Sequence, residues 1–215
     1  PKSEGFEFVG NPERKTRQVP YSRLDQDTLT HVAMLPGTTA LLSGKIWTVF
    51  SIVQRLASSG IPFCLLTPPA KLLGAIDGAL KIYQGKAHLN TDAHTLNCKN
   101  WEALRKQEGV IVDSLQQAFE RGFRKADLEA SLAKSLGNNH RAIQVGLVEE
   151  AKNREFDNVV LTSDIRYGNY KIPQTRSKVI SSLYTGITRG VHTVYYQEDM
   201  VEKVVSSIKQ GLSGN

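Results

Sequence analysis

The 215 residues suffice for one domain, or one domain carrying a small insertion, with a core of its own. A hydrophobic content of 40% beside 22% charged residues excludes an intrinsically disordered chain, and no apolar run approaches the roughly 18 residues that a membrane-spanning helix needs. The formal charge of +6, from 27 basic and 21 acidic side chains, suits a polyanionic partner, although solubility alone also favours a charge of that size.

In chain order, residues 1–20 are polar and basic (Arg14, Lys15, Arg17) and predict an extended lead-in. The chain opens on Pro1 with neither an initiator methionine nor an apolar signal stretch, which predicts a processed product or an excised segment. Leu29, Val32 and Ala33 predict a short helix ended by Pro36-Gly37. Residues 38–43 (TTALLS) read as a buried strand, Ile46, Val49, Phe50, Val53 and Ala57 fall at helical spacing, and residues 61–67 (IPFCLLT) are a second apolar strand. Leu72, Ile76, Ala79, Leu80 and Tyr83 mark one face of the next helix. This alternation is the grammar of a parallel sheet wrapped by helices.

Between residues 86 and 139 the alternation pauses. A loop with Asn90, Thr91 and Asp92 precedes a short helix near 101–106, and two amphipathic helices follow, one on Ile111, Leu115, Ala118 and Phe119, the other on Leu128, Leu132 and Leu136, closed by Gly137-Asn138-Asn139. We read this as a helical insertion. Strands resume at 142–148 (AIQVGLV) and 158–163 (NVVLTS), followed by a polar loop with Tyr167, Gly168, Tyr170 and Pro173. A helix on Ile180, Leu183, Tyr184 and Ile187, a strand at 192–196 and a last helix on Val201, Val204, Val205 and Ile208 complete the chain.

Cys64 and Cys98 lie far apart without metal-ligand spacing, which predicts a reduced protein without a zinc site and leaves one adventitious disulfide as the alternative. A phosphate-cradling loop, G-x-x-x-x-G-K-[ST], has one candidate, at Ser43-Gly44-Lys45. Thr39 stands where its first glycine belongs and Ile46 where its magnesium-binding hydroxyl belongs. The strand at 158–163 runs into Asp164 with no glutamate after it, so the Asp-Glu pair that would hold Mg²⁺ and polarise water is missing too. The chain alone is expected not to turn over ATP. A hydrolase built on Asp157, Asp164 and the histidines His31, His88, His94, His140 and His192 has no supporting spacing, and these histidines read as surface or loop residues.

Two segments carry a resemblance. Residues 150–161 (EAKNREFDNVVL) resemble motif V of the UvrD/Rep-like superfamily 1 helicases, roughly T-x-H-x-A-K-G-x-E-F-D-x-V, and residues 183–190 (LYTGITRG) resemble their motif VI, L-Y-V-A-L-T-R-A. The order and the short distance between the two also match. Residues 38–63 resemble the motif IV strand, its helix and the strand that follows; residues 72–83 are similar to the next helix, and the insertion stands where the family carries its helical subdomain. The resemblance covers most of residues 25–215. It implies an α/β, RecA-like parallel sheet with helices on both faces and a small helical insertion. The expected division is residues 1–20 as lead-in, 21–85 and 141–215 as the two parts of the RecA-like domain, and 86–140 as the insertion.

In that family ATP lies between two RecA-like domains, so the resemblance implies ATP as cofactor, with its phosphates and Mg²⁺ held by an N-terminal RecA-like domain outside this chain. The implied partners are that domain and single-stranded DNA, with RNA open and no membrane. Arg189 matches the motif VI arginine that stabilises charge on the γ-phosphoryl group. Glu155 matches the glutamate that accepts a hydrogen bond from the sugar of ATP. Lys45 would stand in for the motif IV arginine as a point charge, without its bidentate fork. Lys152 and Arg154 border the expected single-strand track. Tyr184 and Phe156 read as core aromatics. The family Thr, His and Gly of motif V fall on Leu147, Glu149 and Asn153. The implied function is the C-terminal motor domain of an ATP-dependent helicase or translocase in the cytoplasm, nucleoid or nucleus. The alternative is a degenerate RecA-like module that binds a protein or nucleic acid without catalysis.

Overall fold

The computed structural model describes residues 16–136, 142–166 and 172–198, together with 200, 202, 204 and 206 of a C-terminal helix. The lead-in before Thr16, the Gly137-Asn138-Asn139 closure, His140, most of the polar loop around Tyr167–Tyr170, and Val201, Val205 and Ile208 lie outside the described residues.

The elements run β1 (Arg17–Tyr21), α1 (Gln26–Ala33), β2 (Thr39–Ser43), α2 (Ile46–Ser58), β3 (Phe63–Leu65), α3 (Pro69–Tyr83), α4 (Trp101–Glu108), α5 (Asp113–Glu120), α6 (Lys125–Leu132), β4 (Ile143–Leu147), β5 (Phe156–Leu161), α7 (Pro173–Thr188) and β6 (Gly190–Gln197). The six strands form one sheet in the order β1-β6-β5-β2-β4-β3, and every pairing is parallel. β2 is central and buried at all five positions, which is why it reads as a continuous apolar run instead of an alternating one.

The sheet packs helices on both faces. Leu41 of β2 joins one core with α1, α2, α3 and the insertion, through Leu29, Val53, Ile76, Leu104, Leu115 and Leu128. Its neighbours Ala40 and Leu42 point to the other face, into a second core with Val148, Ala151, Leu183 of α7 and Met200. This is the α/β, RecA-like class expected from the sequence. The insertion is not a separate body: Leu104, Val112, Leu115, Phe119 and Leu128 share the core of α2 and α3, and the rings of Trp101 and Phe119 pack against Tyr83 of α3 at 5.5 Å.

Local signals explain the boundaries. The Asp25 carboxylate accepts the Thr28 amide at 2.9 Å to start α1, and Asn100 does the same for Ala103 at 2.8 Å in α4. Proline opens both α3 and α7, where its missing N–H costs nothing. α7 begins at Pro173, well before the apolar stripe that marks it in the sequence. Residues 17–20, expected to be part of an extended lead-in, belong to β1, which pairs with β6. Tyr184 is 50% exposed on α7, so it is not the core aromatic expected, whereas Phe156 is buried. Neither Cys64 nor Cys98 forms a disulfide, and both are buried. Among the described residues no helix is long and apolar enough to cross a membrane.

Candidate functional site

In an all-parallel sheet every strand starts at one edge and ends at the other. Loops that follow strands therefore collect at the C-terminal edge, and residues that precede strands collect at the N-terminal edge. The chemistry-bearing residues divide accordingly.

At the N-terminal edge, Arg154 and Glu155 immediately precede β5, and Arg189 caps the C-terminus of α7 just before β6. The Arg189 carbonyl accepts the Phe156 amide at 2.9 Å, which locks the start of β5 to the start of β6 and sets the three residues side by side. The Arg189 guanidinium is half-buried. Nη1 donates to the Arg154 carbonyl at 3.3 Å and Nη2 to the Thr188 hydroxyl at 3.2 Å. Nε is buried with no hydrogen-bond partner among the described residues. No carboxylate among the described residues forms a salt bridge with this guanidinium. A cation with an orphaned buried donor fits an oxyanion brought from outside the chain.

Lys152 and Arg154 are exposed on the connection from β4 to β5. Between them Asn153 has φ 61°, the left-handed region that glycine fills most readily and asparagine tolerates best after it. Glu149 and Glu150, ahead of this segment, are tied to Lys71 at 2.7 and 3.0 Å, and the hydrogen bond from Lys71 holds the Glu149 carboxyl below its ordinary range.

Sequence reasoning missed one cluster at this edge. Asp157 accepts the Thr38 amide and hydroxyl on one oxygen, at 2.6 and 2.9 Å, and its other oxygen faces His192 Nε2 at 3.4 Å. Spacing could not reveal it, because Thr38 and Asp157 are 119 positions apart.

Lys45 lies at the opposite edge. It follows β2 and caps the N-terminus of α2, with its ammonium 2.8 Å from Glu108 of α4. Burial works to raise the Glu108 carboxyl, yet the hydrogen bonds from Lys45 and Gln107 bring it below its ordinary value. Asp164, just past the end of β5, accepts the Lys45 amide, whereas Arg189 bonds the first residue of β5. The full strand, about 20 Å at ~3.3 Å per residue, separates the two. Lys45 and Arg189 therefore stand at opposite edges of the sheet within this chain.

The C-terminal edge holds a cavity of about 350 Å³ lined by Ser43, Lys45, Glu108, Glu149, Asp164 and Lys178 among others. It opens where the connection after β2 leaves to one face and the connection after β5 leaves to the other, the place where open α/β sheets bind ligands. Asp157 and Asp164 stand at opposite edges, so they form no common hydrolytic centre. Among the described residues no group of three or more His, Cys, Asp or Glu side chains could hold a metal ion. A scan against protein-family models finds no match, and a search of curated proteins finds none either.

Proposed function

We propose that this chain is the second RecA-like domain of a superfamily 1 helicase or translocase acting on single-stranded nucleic acid, with DNA ahead of RNA, and that it works with another domain that holds the phosphates of ATP. The observation that carries this reading is Arg189: a half-buried guanidinium at the end of α7 that has, among the described residues, neither a carboxylate partner nor an acceptor for its buried Nε. ATP supplies a triphosphate whose γ-phosphoryl oxygens gain charge in the transition state. Arg189 would meet those oxygens from the facing domain, where a preorganised cation costs no reorganisation. Glu155, beside it, would accept a hydroxyl of the sugar. Lys152 and Arg154 would neutralise phosphates of the strand as the cleft between domains opens and closes. Lys45 has no part in this arrangement.

A second reading, a module that binds a partner without catalysis, draws on Glu149 and Glu150, which place paired acids where the motif V histidine would stand. One substitution separates the two. In the protein that joins this domain to its phosphate-holding partner, Arg189→Ala is expected to lower kcat about 10³-fold or more while leaving the melting temperature unchanged. Unaltered turnover would discard the arginine and leave the binding module. The purified 215-residue chain is expected to hydrolyse no ATP above background.

A further inference from the structure

The loop Ser43-Gly44-Lys45 remains outside that reading. The N-terminus of a helix presents amides without intrahelical acceptors and the positive end of the helix dipole, which together make an anion seat. Lys45, the N-cap of the 13-residue α2, supplies no side-chain cap of its own. The acceptor comes instead from Asp164, 4% exposed, in the turn after β5. One carboxylate oxygen accepts the Gly44 amide at 3.3 Å and the Thr162 hydroxyl; the other accepts the Lys45 amide at 2.8 Å. Close approach of the two turns makes this possible: a Cβ on Gly44 would stand 2.7 Å from Ile165 Cα and 3.0 Å from the Asp164 carbonyl oxygen.

A second observation is independent of the helix. Ser43, wholly buried, has a hydroxyl with no hydrogen-bond partner among the described residues, and Ser43, Gly44, Lys45 and Asp164 all line the 350 Å³ cavity. The loop therefore offers two backbone donors and one hydroxyl. The two oxygens of a carboxylate are both used on other groups and leave that hydroxyl unmet, whereas a tetrahedral oxyanion has oxygens enough for all three.

We propose that the loop between β2 and α2 is a seat for a tetrahedral oxyanion of the phosphate class, and that the Asp164 carboxylate occupies it as a built-in plug. The seat is closed in the native chain because a phosphate entering there would find both amides taken by the Asp164 carboxyl group. The proposal stands independently of Arg189, at the other edge of the sheet, and its test contains no ATP.

The experiment titrates inorganic phosphate into the purified chain and into Asp164→Ala, against chloride at matched ionic strength, reading the Gly44 and Lys45 amide resonances and the melting temperature. The native chain is expected to show no phosphate-specific change. Asp164→Ala is expected to show saturable shifts at both amides and a rise in melting temperature, weakened several-fold when Ser43→Ala is added. If Asp164→Ala needs phosphate to fold, that dependence supports the seat directly; if it folds in neither salt, Asp164→Asn is titrated in its place. A response of the native chain at these amides would overturn the plug. So would indifference to phosphate in whichever variant folds.

Discussion

At Asp157 two hydrogen bonds from Thr38, helped by His192, hold a carboxyl below the ordinary carboxylate range. A carboxyl with a folded value below its unfolded one, near 4, contributes its full stabilisation above the unfolded value and loses it as pH falls through the folded value. Asp157→Asn is therefore expected to be less stable than the native chain near neutral pH. The gap should close below about pH 4, as the native carboxyl takes up its proton and Asn becomes its equal in charge. Urea unfolding across that range reads the difference directly; a gap of constant size down to about pH 2 would assign it to packing instead of charge. His192 is 70% exposed, so its contact with Asp157 is expected to be weak and screened by salt.

Among the elements, the insertion is held by a contact that helical spacing does not announce. Asn90, Asp92 and Thr95 form a hydrogen-bonded loop, with Asn90 Nδ2 donating to Thr95 Oγ1 at 2.9 Å and the His94 amide to Asp92 Oδ1 at 2.9 Å. That loop presses on α3 at Gly78, where a Cβ would lie 2.4 Å from Thr95 Oγ1 and 2.6 Å from Asn90 Oδ1. Both partners are buried and committed to each other, so neither can swing aside. Gly78→Ala should cost about 1–3 kcal/mol despite the better helix propensity of alanine, and it should alter Trp101 fluorescence, because that indole packs on Tyr83 of the same helix. An equally stable variant with native fluorescence would show that the loop rearranges freely. The apolar stripes of α2 and α3 and the buried runs of β2 and β4 were legible because each element writes its own burial into its own residues. The two motif-like segments single out Arg189 and Glu155, and the bond from the Phe156 amide to the Arg189 carbonyl brings those segments together. The separation of Lys45 from them was legible in principle, since a residue that follows a strand and one that precedes a strand lie at opposite edges of a parallel sheet. The loop on Gly78 and the Thr38–Asp157–His192 cluster were not, because each joins polar residues that share no period.

Across the whole molecule, the sheet must finish somewhere, and its two borders are handled differently. β3 has three residues, too short to template another chain. At the other border β1, with the sequence RQVPY, is largely exposed and carries no apolar run, which is why the sequence reads as lead-in there. Its role is to cover β6. The Tyr21 carbonyl accepts the Glu198 amide at 2.9 Å, so the backbone groups of residue 21 face β6 and those of Pro20 face outward. Proline thus removes a donor from the free side, where further strands could add. The Tyr21 hydroxyl also donates to the Leu161 carbonyl at 2.7 Å across the end of β5, and burial pushes that phenol well above its ordinary value. A chain beginning at Ser22 would lose this bond, leave Leu161 oxygen without its partner and expose the eight-residue edge of β6. It is expected to melt lower than the native chain and to self-associate on mild heating, as read by light scattering. Tyr21→Phe, which keeps the strand and removes only the hydroxyl, should lower stability by about 1 kcal/mol without association. If the truncated chain instead melts with the native one and stays monomeric, β1 is dispensable and β6 is a border that protects itself.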